Sequence, residues 1–334
     1  MLSDGKPGRL AFSSLPCKMK VDSVKESVAM NPPTMQPQQI FCVLGMHRSG
    51  TSVAARLLNL LGVYLGPEKR LMEAALDNPT GFWEHRELTR LNEEILGCLG
   101  GYHLEPPELA PGWIKHPALD AIRHQARQTI EGEFGNATLW GWKDPRNCLT
   151  LPFWQDLLPS MKYLICLRNP VDVARSIERR NGVRFENGIR LWRDHITHAI
   201  QATRKQNRLL LFYEDVLSAP QDEFSRLAQF VGRPELAKRE SIRTEVESFV
   251  SKMLQHFHTP LKDCLKEPAV EFPAKALFTA LRLYVDLERK KSATELNADS
   301  GAAEAIDLFA AEIAAATKTS DEIVRLTNHD LRGG

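Results

Sequence analysis

Three things are scarce in this 334-residue sequence: cysteine, net charge and long apolar runs. The six cysteines, Cys17, Cys42, Cys98, Cys148, Cys166 and Cys264, are scattered and form no C-x-x-C pair. That spacing argues against a zinc site or a disulfide framework and fits a reducing compartment. Cys42 and Cys166 lie inside apolar runs and read as buried thiols. Lysine plus arginine number 43 and aspartate plus glutamate 42, a formal net charge of +1. No global basic field therefore points to nucleic acid or to an anionic membrane surface. No run approaches the roughly 18 apolar residues of a membrane span. The N-terminus carries Lys6 and Arg9 but only a short apolar patch from Leu10 to Phe12, too little for a secretory signal. These absences lead to the expectation of a cytoplasmic protein.

What is present is an alternation of short and long patterns. Four apolar runs, Ile40–Leu44, Thr138–Trp142, Tyr163–Leu167 and Leu209–Tyr213, read as buried parallel strands. Between them lie helical faces: Val53, Leu57, Leu58 and Leu61; Leu88, Leu91 and Ile95; Leu119, Ile122 and Ile130; Ile189, Trp192, Ile196 and Ile200. Strands alternating with helices predict an α/β fold, a doubly wound parallel sheet flanked by helices. Beyond about residue 220 the pattern is helical, through Phe224, Leu227 and Val231, then Ile242, Val246, Phe249, Met253 and Phe257. A break at Asn297–Gly301 precedes an Ala-rich tail with Ile306, Phe309 and Ile313 on one face. The tail either packs on the core or mediates a homodimer.

The first strand runs into Gly45-Met-His-Arg-Ser-Gly-Thr-Ser52 and then a helix. Backbone amides of such a loop, with the helix N-terminus, cradle phosphate or sulfate. Gly45, Gly50 and Ser52 keep the spacing of the nucleotide-binding pattern G-x-x-x-x-G-K-[ST], but Thr51 stands where the lysine belongs. Without that lysine, ATP or GTP hydrolysis is disfavoured. Arg48 restores positive charge, and a guanidinium suits bidentate anion binding. His47 reads as a loop filler. A second anion site is written at Arg168, which ends the third strand, with Pro170 and Asp172 opening a helix and Ser176 two turns along it. Arg168 and Ser176 are placed to close on one phosphate from two sides. Taken alone, the first loop also reads as a Gly-rich turn and the second as a surface arginine with an ordinary helical serine.

Together these segments resemble the PAPS-dependent sulfotransferases, enzymes that use 3′-phosphoadenosine-5′-phosphosulfate (PAPS). Met46-His-Arg-Ser-Gly-Thr-Ser52 resembles their 5′-phosphosulfate loop, Arg168-Asn-Pro-Val-Asp-Val-Ala-Arg-Ser176 their 3′-phosphate motif, and Tyr213-Glu-Asp-Val216 their Y-E-D-L segment. The likeness is closer to bacterial members than to the cytosolic small-molecule enzymes, whose C-terminal R-K-G-x-x-G-D-W-K motif has no copy here. The resemblance implies a P-loop-like fold, with Arg48, Ser49, Gly50, Thr51 and Ser52 on the 5′-phosphosulfate and Arg168 and Ser176 on the 3′-phosphate. Arg239 and Arg243 are minor candidates for completing the adenosine pocket. It also implies PAPS as co-substrate, no metal, and a carbohydrate, glycolipid or small-metabolite hydroxyl as acceptor. Residues 1–38 are expected to be disordered, 39–290 to form the sulfotransferase domain and 291–334 a helical tail.

Sulfuryl transfer needs a base, in-line geometry and positive charge on the leaving phosphate. Trp142-Lys143-Asp144-Pro145-Arg146 resembles the K-D-P segment of tyrosylprotein-type enzymes, which assigns Lys143 to transition-state stabilisation, with Asp144 orienting it. For the base, Glu84 in Gly81-Phe-Trp-Glu-His-Arg86 comes first, since an aromatic setting raises a carboxylate pKa; His85 and then Glu68 follow. Glu84 equally reads as an acid at a helix start. Trp83, Tyr102 and Trp113 are candidate acceptor platforms, or core. The competing readings are a P-loop kinase or NTPase, and a binding protein with a decayed phosphate loop.

Overall fold

The computed structural model describes residues 38–74, 81–251, 257–290, 304–312 and 315. The chain divides into residues 1–35 and 36–334, and every described residue lies in the second part. The expectations for residues 1–37, and for the break at 297–301, fall outside the described residues. In chain order the elements are β1 (Gln39–Leu44), α1 (Thr51–Leu60), α2 (Arg86–Cys98), α3 (Asp120–Phe134), β2 (Leu139–Lys143), α4 (Asn147–Leu157), β3 (Met161–Leu167) and α5 (Pro170–Asn181). Then follow α6 (Phe185–Ala202), β4 (Arg208–Phe212), α7 (Tyr213–Ser218), α8 (Pro220–Val231), α9 (Glu240–Ser251), α10 (Leu261–Lys266) and α11 (Phe272–Lys290).

The four strands form one parallel sheet in the order β2-β1-β3-β4. Because successive side chains on a strand point to opposite faces, β1 splits its residues between two cores. Ile40, Cys42 and Leu44 pack with α2 to α6 and α11, while Phe41 and Val43 pack with α1, α8 and α9. Both faces are covered, which is why the strands read as continuous apolar runs. Each fully buried large side chain, Trp140, Trp142, Trp154 and Phe41 among them, contributes roughly 1.5–3 kcal/mol of apolar burial. Cys42 and Cys166 are buried free thiols.

Two local readings change. Tyr213 opens α7 instead of ending β4. The helix α4 carries Pro152 and was hidden by it: the α-helix is buried on several faces, through Cys148, Leu149, Leu151, Phe153 and Trp154, and so lacks the one-sided periodicity of its neighbours. Residues 304–312 are helical; Ile306 and Ala310 join the core, and Asp307 pairs with Arg208 at 2.7 Å. No helix among the described residues is long and apolar enough to cross a membrane.

The chain leaves β1 towards β2 on one side and later returns to β3 on the other. The reversal lies between β1 and β3, and in open parallel sheets ligands bind outside the carboxyl ends of the strands at that point. Both anion motifs begin there.

Candidate active site

The loop after β1 is shaped by two glycines. Gly45 has φ +135°, and a Cβ there would lie 2.5 Å from the Cys166 carbonyl oxygen of β3. Its N–H donates to Cys148 Sγ at 3.0 Å. Gly50 has φ +84°, and a Cβ would lie 2.5 Å from the Tyr213 ring. Gly50 is also the N-cap of α1 and has no side chain to cap the first amides, so these are left for an anion. Arg48 between them is itself left-handed, at φ +70°. Gly45→Ala therefore meets both strain and backbone contact, an expected cost of about 2–4 kcal/mol. Its Tm, followed by circular dichroism, should fall by about 5 °C or more. Gly97→Ala on α2, where a Cβ meets nothing within 4 Å, should not lower it. Equal Tm values for the two variants would remove the packing argument.

Lys143, at the carboxyl end of β2, is 1% exposed. Its Nζ donates to Ser52 Oγ in the loop at 3.3 Å and forms an ion pair with Glu84 Oε1. The second carboxylate oxygen of Glu84 is buried without a hydrogen-bond partner. Burial pushes the Glu84 carboxyl up, with the ammonium opposing it. Burial likewise pulls Lys143 down, with Glu84 opposing. Ser52 in turn donates to the Phe82 carbonyl at 3.2 Å, tying the loop to the segment that carries Glu84.

Asp144 is held by Asn92 Nδ2 at 2.9 Å and by the Arg146 backbone and guanidinium, each at 2.9 Å. Arg146 Nε also reaches Glu93 Oε1 at 2.5 Å, and His103 Nδ1 lies 2.7 Å from the same oxygen. Against the upward push of burial, His103 and Arg146 hold the Glu93 carboxyl down at about 2.

His85 turns away from this cluster. It caps α2: Nδ1 accepts from the Leu88 N–H at 3.4 Å, so Nε2 carries the proton and donates to Glu133 Oε2 at 2.7 Å. Burial lowers its pKa although Glu133 opposes. Both nitrogens are thus committed, and the ring packs on Phe134 with centroids 5.4 Å apart. Trp83, left-handed at φ +64°, turns the backbone between Glu84 and the preceding Phe82. Glu68 lies in the exposed turn Glu68–Arg70.

The second motif closes on the first directly. Arg48 Nε donates to Ser176 Oγ at 3.0 Å. Arg168 donates from Nη1 to the Arg48 carbonyl and from Nη2 to the Phe257 carbonyl, both at 3.0 Å, and its guanidinium stacks 4.8 Å from the Tyr213 ring centroid. Its Nε is buried without a partner, as is Ser49 Oγ. Asn169 caps α5 by accepting from the Val171 N–H at 3.0 Å, and Pro170 opens that helix. Glu214 Oε1 accepts the Asn169 N–H at 2.8 Å; burial pushes the Glu214 carboxyl up, with that hydrogen bond opposing.

Residues 257–259 strap this motif. Thr259 donates from Oγ1 to Asp172 Oδ1 at 2.6 Å, and its carbonyl accepts from Asn169 Nδ2 at 2.8 Å. The strap escaped sequence reasoning, because carbonyl acceptors leave no residue-type signature. Arg239 and Arg243 are exposed around the start of α9. Trp83 and Trp113 pack as partly buried core residues, whereas Tyr102 is 43% exposed.

Comparison with known proteins agrees with this layout. A family model described as "Sulfotransferase family" matches residues 40–237. No curated protein matches the sequence. Among solved structures, the sulfotransferase domain of the Synechococcus PCC 7002 olefin synthase is 18% identical, with 72% of this chain and 96% of that chain covered and a TM-score of 0.39. A Mycobacterium avium sulfotransferase is 13% identical, covering 75% and 77%, with a TM-score of 0.45. Retinol dehydratase, solved with androsterone and the inactive cofactor PAP, is 15% identical, covering 78% and 83%, with a TM-score of 0.33. With the family model spanning more than half of the chain, from β1 to beyond the second anion motif, this protein belongs to the sulfotransferase family.

Proposed function

We propose that the protein transfers a sulfuryl group from PAPS to a hydroxyl of a carbohydrate, glycolipid or small metabolite. The observation that carries this reading is the buried Lys143–Glu84 pair, one hydrogen bond from Ser52 of the anion loop. PAPS supplies the activated sulfuryl group. The unpartnered donors fit its anionic ends: Ser49 Oγ and the first amides of α1 for the 5′-phosphosulfate, Arg168 Nε for the 3′-phosphate. Arg48 and Ser176, already in contact, join the two.

In this reading Lys143 meets the charge that grows on the leaving phosphate oxygen, where a fixed cation in a dry site acts most strongly. The free oxygen of Glu84 takes the proton of the acceptor hydroxyl. A raised pKa suits that task, since a base works best with a pKa nearer the working pH. His85, committed to Leu88 and Glu133, stays outside the reaction. Thr51 provides its backbone amide at the start of α1.

Calorimetric titration with 3′-phosphoadenosine-5′-phosphate (PAP), beside ATP with magnesium, tests the cofactor class. Tight PAP binding with weak ATP binding is expected; the opposite preference overturns the proposal in favour of a kinase. Glu84→Gln should keep PAP affinity within about twofold and lower transfer from labelled PAPS by about 10²-fold or more. Full transfer in that variant would remove Glu84 as the base.

A further inference from the structure

Beside the anion loop lies a cleft of about 600 Å³ between the Tyr102–Glu105 turn and α6. That size suits a small organic ligand. Its floor is one face of α6, on which Asn187, Arg190, Leu191 and Asp194 follow the i, i+3, i+4, i+7 spacing. Its wall is rigid: the Tyr102 and Glu105 backbones exchange hydrogen bonds of 3.0 and 3.1 Å. The Tyr102 ring on that wall is 43% exposed.

The cleft is joined to the reacting centre. His103, between the lining residues Tyr102 and Leu104, stacks on His47 of the anion loop with ring centroids 5.0 Å apart. It also shares Glu93 with Arg146, beside Lys143 and Asp144. His47 Nε2 is buried and has no hydrogen-bond partner among the described residues. A hydroxyl arriving from the cleft would supply one.

The lining chemistry selects the guest. Charges of both signs alternate in it, and Arg193 is already paired with Asp194 at 2.7 Å and Glu271 at 2.5 Å. A polyanion therefore meets no uniform positive field. Apolar lining is limited to a few side chains such as Leu104 and Leu191, too little to cover a sterol. Amide, carboxylate and guanidinium groups each offer two parallel hydrogen-bonding positions, which match adjacent hydroxyls. An exposed aromatic ring covers the C–H face of a sugar ring.

We propose, resting on the sulfuryl-transfer reading above, that this cleft binds a neutral carbohydrate and presents one of its hydroxyls to the anion loop. The test uses the full chain with labelled PAPS and a panel of neutral di- and trisaccharides, a heparin-type polyanion, 4-nitrophenol and a sterol. Sulfation of at least one neutral sugar is expected. Tyr102→Ala and Asn187→Ala, both at exposed positions, should each raise its KM about tenfold with PAP affinity unchanged. Transfer only to the polyanion, the phenol or the sterol overturns the proposal, as does sugar transfer indifferent to both variants. PAP binding without transfer to any neutral sugar also overturns it, leaving the sulfuryl-transfer reading intact. Failure to bind PAP at all overturns both.

Discussion

Lys143→Met is expected to lower sulfuryl transfer by about 10²–10³-fold, the range seen when one fixed donor to a developing oxyanion is removed. The loss should fall in kcat, because the cation acts on charge that appears only as the bond to the leaving phosphate breaks. The same substitution leaves Glu84 buried without its partner. Breaking a buried pair from one side costs about 3–5 kcal/mol. Protonation of Glu84 reduces that cost, and burial already pushes its pKa in that direction. The double variant Lys143→Met/Glu84→Gln removes the lone charge, so thermal unfolding should recover towards the parent while transfer stays low. Restored transfer in the double variant, or full transfer in the single one, would show that the pair is only structural.

Arg168→Ala should weaken PAP binding by about tenfold or more, since a charge-assisted hydrogen bond is worth roughly 1.5–3 kcal/mol. The geometry makes the effect larger than one lost contact. Arg168 holds the carbonyl of Arg48, a residue kept in a left-handed conformation, and the carbonyl of Phe257 in the strap. Without it, the anion loop and the strap lose their common anchor. Arg168→Lys should recover little, because one ammonium cannot serve two carbonyls and stack on Tyr213 as a planar guanidinium does. Calorimetry with PAP measures all three proteins. Unchanged affinity in Arg168→Ala would mean that the arginine is purely architectural.

The strands and the two anion loops were legible in the sequence for a common physical reason. A strand buried on both faces must be apolar along its length, and a loop that cradles an anion needs glycines and a cation at fixed spacing. Gly45, Arg48, Gly50, Arg168 and Ser176 carry such marks. What stayed hidden was pairing across the chain. Nothing at Ser52, Glu84 and Lys143 announces that three separate segments meet. Nor does sequence tell that Glu84 turns inward while its neighbour His85 turns towards Glu133. That difference is set by the backbone through Trp83 and by the capping of α2. The helix α4 was missed because burial on several sides erases periodicity, and Pro152 breaks the usual helical pattern.

The pairing of β1 with β3 works as a ruler. Leu44 lies opposite Ile165, one residue before Gly45 and three before Arg168. Neighbouring strands sit about 4.8 Å apart, so the gap between the two anion-handling loops is set by main-chain hydrogen bonding and not by long side chains. A nucleotide carrying only one phosphorylated end can touch one mark on that ruler, whereas a bisphosphate of the right span touches both. Changing the spacing would take a register slip of the central strands, which would also invert their buried faces. Selection for the length of the donor is thereby built into the part of the molecule that can least afford to move.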